Sequence, residues 1–119
     1  MKEQTKINKP WGYELHWAKT ERYVGKVLHV TAGHALSLQY HNVKDETIFL
    51  WTGKLLFEIQ QGDAIVAREM CPGESVHITP HTIHRMTALE DSDIFEVSTP
   101  ELDDVVRLED RYGRDVDKK

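Results

Sequence analysis

Apolar and polar residues alternate in short runs along most of this chain, and each run stops at a turn signal. Trp11, Tyr13, Leu15 and Trp17 share one parity, which predicts a strand with an aromatic face. KVLHVT at 26–31 predicts a second strand, ended by Ala32-Gly33. SLQYH and ETIFLWT follow, parted by the polar turn NVKD and closed by Gly53-Lys54. LLFEIQ stops at Gln61-Gly62-Asp63, AIVAREM at Cys71-Pro72-Gly73, and SVHIT at Pro80-His81. DIFEVST runs into Pro100. About eight short strands with no long helical pattern between them predict an all-β sandwich or barrel.

After Pro100 the character changes. ELDDVVRLEDRYGRDVDKK is highly charged, and Leu102, Val105, Val106 and Leu108 fall near helical spacing behind leading acidic residues. The expectation is a short helix or turn packed on the body, then a frayed terminus. With 119 residues and 13.8 kDa, the chain has room for one core, so 1–119 reads as a single domain with a body at about 9–100 and a charged extension at 101–119.

Composition narrows the function. No apolar run approaches the roughly 18 residues of a membrane helix, and the polar start MKEQTKINKPWG resembles no targeting peptide, so a cytoplasmic protein is expected. A net charge of −5 with scattered Lys and Arg offers no stripe for nucleic acid. Cys71 is the single cysteine, so a thiolate-rich metal site is excluded and the side chain reads as a buried or half-buried filler beside a turn. Seven histidines remain as the least ordinary feature.

Within GHALSLQYHNVKDETIFLWTG (33–53), alternation sets Gln39 and His41 on one strand face, and a turn over NVKD returns Glu46 to the same space. His84, in the loop TPHTIHRM, is a fourth candidate for that point. Two imidazoles, a carboxylate and an amide carbonyl form a shell suited to zinc, and also to Mn, Fe, Co or Ni, with positions left open for substrate. Spacing alone leaves a second reading open, in which Gln39 and His41 bond one another on an exposed strand and His84 sits in a surface turn.

The spacing Gly33, Gln39, His41, Glu46, Gly53 resembles the first motif of the cupin superfamily, with Gln in place of its usual first histidine. Gly73 with TPHTIH resembles the second, although Thr79 and His81 stand where Pro and Gly are usual. LSLQYHNVKDE, ITPHTIHRM, IFEVSTPELDDVVRLEDRYGR and KPWGYEL resemble more closely the isomerase domain of type II phosphomannose isomerases, often fused behind GDP-mannose pyrophosphorylase. That resemblance spans roughly 9–114, and its most specific part is DDVVRLEDRYGR. It implies a cupin barrel, that is, a double-stranded β-helix or jelly roll. It also implies one divalent ion held by residues matching Gln39, His41, Glu46 and His84, and interconversion of mannose 6-phosphate and fructose 6-phosphate. Here NVKDETIF replaces the family's HRAEHW-like segment, with Lys44 where Arg is usual.

Such an isomerase needs a Lewis acid, a base and cations for phosphate. Lys44 and Arg85 are the expected cations beside the ligands, Lys44 having a solvated turn lysine as its alternative, and Glu96 is a candidate base or a partner for an arginine. His77 and His81 read as outer partners or surface residues, and His16, His29 and His34 as plain ones. Arg107, Asp110, Tyr112 and Arg114 read as covering the site or, more simply, as holding the tail to the barrel by salt bridges. If the ligands point inward, Leu36, Leu38, Tyr40, Phe49 and Trp51 point outward, an apolar stripe that suggests a homodimer or cover by the WGYEL strand. Two other functions compete with the isomerase. One is a non-catalytic cupin binding a sugar or nucleotide sugar; the other is an iron oxygenase, which Gln39 disfavours.

Overall fold

The computed structural model describes residues 5–114. Eleven strands follow one another: β1 (Thr5–Lys9), β2 (Gly12–Lys19), β3 (Val24–Val30), β4 (Leu38–Tyr40), β5 (Glu46–Thr52), β6 (Leu55–Gln61), β7 (Ala64–Met70), β8 (Ser75–Ile78), β9 (His84–Ala88), β10 (Ser92–Ser98) and β11 (Val106–Glu109). They pair antiparallel into a six-stranded sheet, β1-β2-β3-β10-β5-β8, and a five-stranded sheet, β11-β4-β9-β6-β7. The all-β expectation holds.

Three strands were not expected. β1 is a polar edge strand with no alternation to reveal it, and β9 lies in HRMTA, which reads as loop because a His-Arg pair opens it. Tertiary pairing with β6 makes it a strand, since Met86 and Ala88 then close over the core. The third, β11, replaces the expected C-terminal helix. No helix occurs among the described residues, because an isolated turn or two is marginal in water while the open edge of β4 offers Arg107 and Val106 a ladder. The expected frayed end, 115–119, lies outside the described residues.

Two details of packing also differ from expectation. Cys71 is exposed. In the presumed outer stripe, Leu36 lines the internal cavity and Leu38 is buried, because β4 begins only at Leu38 and the period of two does not reach back to Leu36. Phe49 and Trp51 do lie on the outer face of the six-stranded sheet, where they stack with Phe95 beside exposed Val97.

The inner faces change character along the strands. At one end Trp11, Leu28, Val30, Ile48, Leu50, Phe57, Met86 and Ile94 form the apolar core. Toward the other end Lys26 continues the inward row of Leu28 and Val30, Glu46 that of Ile48 and Leu50, and Glu96 that of Ile94, and all three charges are buried. Barrel position, not hydrophobicity alone, thus decides what these strands bury. At the apolar end Gly53 turns β5 into β6 at φ 95°, and a Cβ there would lie 2.3 Å from Ser92 Oγ.

Candidate metal centre

Gln39 on β4 faces His84 at the start of β9 across the ladder. His41 follows β4 directly, and the turn 42–45 carries the chain to Glu46, the first residue of β5. Two backbone devices fix that turn. The Asp104 carboxylate accepts the N–H groups of Asn42, Val43 and Lys44 at 3.0, 2.7 and 2.8 Å, and the His41 carbonyl accepts the His81 N–H at 2.7 Å. His81 itself sits at φ 69°, a conformation costly to a residue with a Cβ. Burial works against the Asp104 charge, but the three N–H groups outweigh it and hold the carboxyl below its ordinary range.

His41, Glu46 and His84 converge, with one ligand atom from each within 4.8 Å of the others, and all three are buried. Each imidazole turns Nδ1 to a backbone carbonyl, His41 to Asp104 O at 2.5 Å and His84 to Thr82 O at 2.9 Å. A carbonyl only accepts, so a neutral ring carries its proton on Nδ1 and leaves Nε2 bare. Both bare nitrogens face Glu46 Oε1, at 3.1 and 3.3 Å. Three acceptors thus meet without a proton of their own, and His84 Nε2 and Glu46 Oε2 take no hydrogen bond. A divalent cation resolves this crowding, and carbonyl-anchored imidazoles are the usual setting of a metal ligand, so the residues fit the group. Gln39 stands beside them on the cavity wall, its Oε1 accepting the Ser37 hydroxyl at 2.6 Å.

A chain of buried charges runs from this point. Lys44 Nζ lies 3.2 Å from both Glu46 Oε2 and Glu96 Oε2, close enough for ion pairs though neither oxygen receives an aligned hydrogen bond. Lys26 Nζ continues to Glu96 at 3.8 Å and to Glu14 at 3.3 Å, and His16 reaches Glu14 at 2.8 Å. Burial opposes the Lys44 ammonium, but Glu96 and Glu46 raise its pKa and keep it charged. Burial likewise opposes the Glu46 carboxylate, and the Lys44 ammonium beside it favours the charged form. For Glu96 burial prevails, and with the neighbouring Glu46 charge it pushes the carboxyl up against Lys44 and Lys26.

Glu14, His16, Lys26, Gln39, His41, Lys44 and Glu96 line a cavity of about 560 Å³ between the sheets, closed on one side by Leu102, Asp103, Val105, Arg107 and Arg114 of the C-terminal segment. Its wall carries six lysines and arginines (Lys9, Lys19, Lys26, Lys44, Arg107, Arg114) against three acids (Glu14, Glu96, Asp103), although the whole chain is acidic. Such a cavity favours an anionic small molecule.

Residues 1–110 match the family described as Mannose-6-phosphate isomerase C-terminal. The chain belongs to this family. Within the mannose-6-phosphate isomerase C-terminal family it is similar to the xanthan biosynthesis protein XanB of Xanthomonas campestris pv. campestris, 30% identical over 114 residues. That match covers 92% of this chain and 24% of XanB, so the chain spans about a quarter of its relative's length. Similar solved structures include KdgF from a Halomonas species (TM-score 0.71, 19% identical, 86% of this chain and 91% of that one). The capsular polysaccharide assembling protein CapF from Staphylococcus aureus gives a TM-score of 0.74 at 20% identity, over 91% of this chain and 35% of CapF. Bacillus subtilis oxalate decarboxylase gives 0.76 at 14%, over 89% and 30%. At these identities they establish the cupin fold and no more.

In this family member the structure brings together Gln39, His41, Glu46, His84, Lys44 and Glu96. Arg85 is not among them: it follows His84 on β9 and so points to the opposite face, where Glu58 holds its Nε at 2.9 Å and Glu109 its guanidinium at 3.3 Å. His77 pairs with Asp45 at the exposed rim, His29 with Asp93, and His34 with Tyr112. Sequence reading missed Lys26, Glu14 and His16, although Lys26 shares parity with Leu28 and Val30, and a charge on a core parity is a legible signal. It also missed Asp104, for which no local signal exists because its partners lie sixty residues away in sequence.

Proposed function

We propose that this chain is a metal-dependent isomerase of sugar phosphates, with mannose 6-phosphate and fructose 6-phosphate as its pair. The observation that supports this most is the convergence of His41, Glu46 and His84, with His41 and the nearby Glu96 on the wall of a cavity that has an excess of cations. His41, Glu46 and His84, with Gln39 as the fourth ligand, would hold one divalent ion. Zinc suits this shell, and so do Mn, Fe, Co and Ni. When bound, such an ion draws electron density from the sugar's C1 and C2 oxygens and stabilises the enediolate charge.

Glu96 takes the proton from C2 and returns it to C1, while the hydroxyl proton passes from O2 to O1, so the aldose becomes the ketose with no atom gained or lost. Lys44, between Glu46 and Glu96, compensates both carboxylates and fixes their separation.

A second reading, a non-catalytic barrel that binds a sugar or nucleotide sugar, is favoured by one observation: Glu96 is engaged by Lys44 and Lys26 rather than free. Mannose 6-phosphate and fructose 6-phosphate added to metal-loaded protein, with interconversion and C2-proton exchange followed by NMR, separate the two. Exchange lost in Glu96→Gln supports the isomerase, and binding without exchange supports the binder. Oxygen uptake with iron would instead mark an oxygenase. The stacked Phe49, Trp51 and Phe95 with Val97 form the face on which we place a second copy of the chain, related by a two-fold axis, and sedimentation at micromolar concentration tests that dimer.

A further inference from the structure

Arg107 lines the cavity and makes no close ion pair or hydrogen bond with a carboxylate among the described residues, although its charge reaches Asp110. It stands opposite Gln39 on the neighbouring strand, and Gln39 stands opposite His84, so the three form one row across the five-stranded sheet. Arg107 and Gln39 both line the cavity. The Nε of Arg107 is closed off from solvent and bonds to nothing. Its neighbour Arg114 lines the same cavity but is already gripped by Asp110, through Nε at 3.0 Å and Nη2 at 2.9 Å. A shielded guanidinium donor without an acceptor is uncommon enough to require a reason, and a ligand that supplies the acceptor is one.

We propose that Arg107 holds the phosphoryl group of the substrate, accepting it in the two-pronged geometry a guanidinium offers to phosphate oxygens. The inference rests on reading the cavity as a sugar-phosphate site, and it assigns which cation meets the phosphate. Lys44 and Lys26 are excluded from that task because each is shared between two carboxylates. Arg85 is excluded by facing away. A phosphate monoester carries about −1.5 to −2 charges near neutrality, which matches the cation excess of the wall. Bound at Arg107, one strand from Gln39 and two from His84, the phosphate end of the molecule would leave its carbon chain running toward the ligand cluster. The geometry also accounts for an arginine here rather than a lysine, since the flat fork orients the ligand as well as attracting it.

The test is calorimetric titration of metal-loaded protein with mannose 6-phosphate, inorganic phosphate and unphosphorylated mannose. Wild type is expected to bind the first two in competition. Arg107→Gln should weaken both by at least about 10-fold, and Arg107→Lys by about 3- to 10-fold, with mannose affinity unchanged. Should Arg107→Gln fail to fold, as judged by its melting curve, Arg107→Lys alone decides. Equal phosphate affinity in wild type and the folded variants overturns the proposal, as does an equal loss for mannose or a wild type indifferent to phosphate. Binding that depends on Arg107 without C2-proton exchange would sink the isomerase and leave the anion site. Exchange with phosphate affinity indifferent to Arg107 would sink the anion site alone.

Discussion

Asp104→Ala removes a single carboxylate that holds the turn between two of the proposed metal ligands, His41 and Glu46. Three backbone N–H groups, of Asn42, Val43 and Lys44, lose their acceptor at 2.7 to 3.0 Å. A hydrogen bond to a charged acceptor contributes about 1.5–3 kcal/mol, but Asp104 is half-exposed and water recovers much of each, so the three together come to about 2–3 kcal/mol. For a domain of this size that lowers the melting temperature by roughly 8–12 °C. Metal affinity should fall as well, by about 10- to 100-fold, because His41 and Glu46 flank the loosened turn. Asp104→Asn, which keeps one acceptor oxygen, should fall between.

The effect carries a pH signature. The folded carboxyl lies below its unfolded value, so its contribution is complete above the ordinary carboxylate range and vanishes as pH falls through the folded value. The gap between wild type and Asp104→Ala should therefore close in strongly acid solution. Melting curves from pH 7 downward, with calorimetric zinc titration at pH 7, make the measurement. A variant that melts within about 2 °C of wild type, or one that melts early yet binds zinc as tightly, would refute the claim that Asp104 positions the ligands.

Glu46→Gln and His84→Ala should each reduce bound metal, read by elemental analysis, from about one ion per chain to a small fraction, with the far-ultraviolet circular dichroism of the sheets retained. Gly53→Ala should cost more than about 2 kcal/mol in thermal or urea unfolding, since the added methyl meets Ser92 Oγ and the Asp91 carbonyl at a φ that disfavours any Cβ. His81→Gly should instead stabilise by about 0.5–1 kcal/mol by relieving a left-handed backbone; a lower melting temperature would show that the ring's contact with Tyr40 matters more. Phe95→Glu should convert the sedimenting species from dimer to monomer, and an unchanged species would remove this face as the interface.

Strands that alternate on one clean face were legible in the sequence: Glu46–Thr52 and Leu55–Gln61 lie where the pattern put them. β9 and β11 were not, because their strand character comes from partners rather than from composition. The same division runs through the site. Gln39, His41 and Glu46 could be read from local spacing, and the structure then moved His84 from a loop to a strand end facing Gln39. Arg85 failed because adjacency in sequence on a strand means opposite faces in space, while Lys26 went unread although it shares the parity of Leu28 and Val30. Arg107 was read as covering the site or clamping the tail, and the clamping falls to Tyr112 and Arg111, which reach His34 and the Gly33 carbonyl.

The dependence of the ligand cluster on the segment after Pro100 has a consequence for the order in which the protein is made. Synthesis delivers Gln39, His41, Glu46 and finally His84 well before Asp104, whose carboxylate and carbonyl steady the turn and the His41 ring. A ribosome-bound chain that has emerged only to β10 therefore presents these residues on a turn that Asp104 does not yet hold. Under the proposed metal site, tight loading would follow emergence of the segment that carries Asp104.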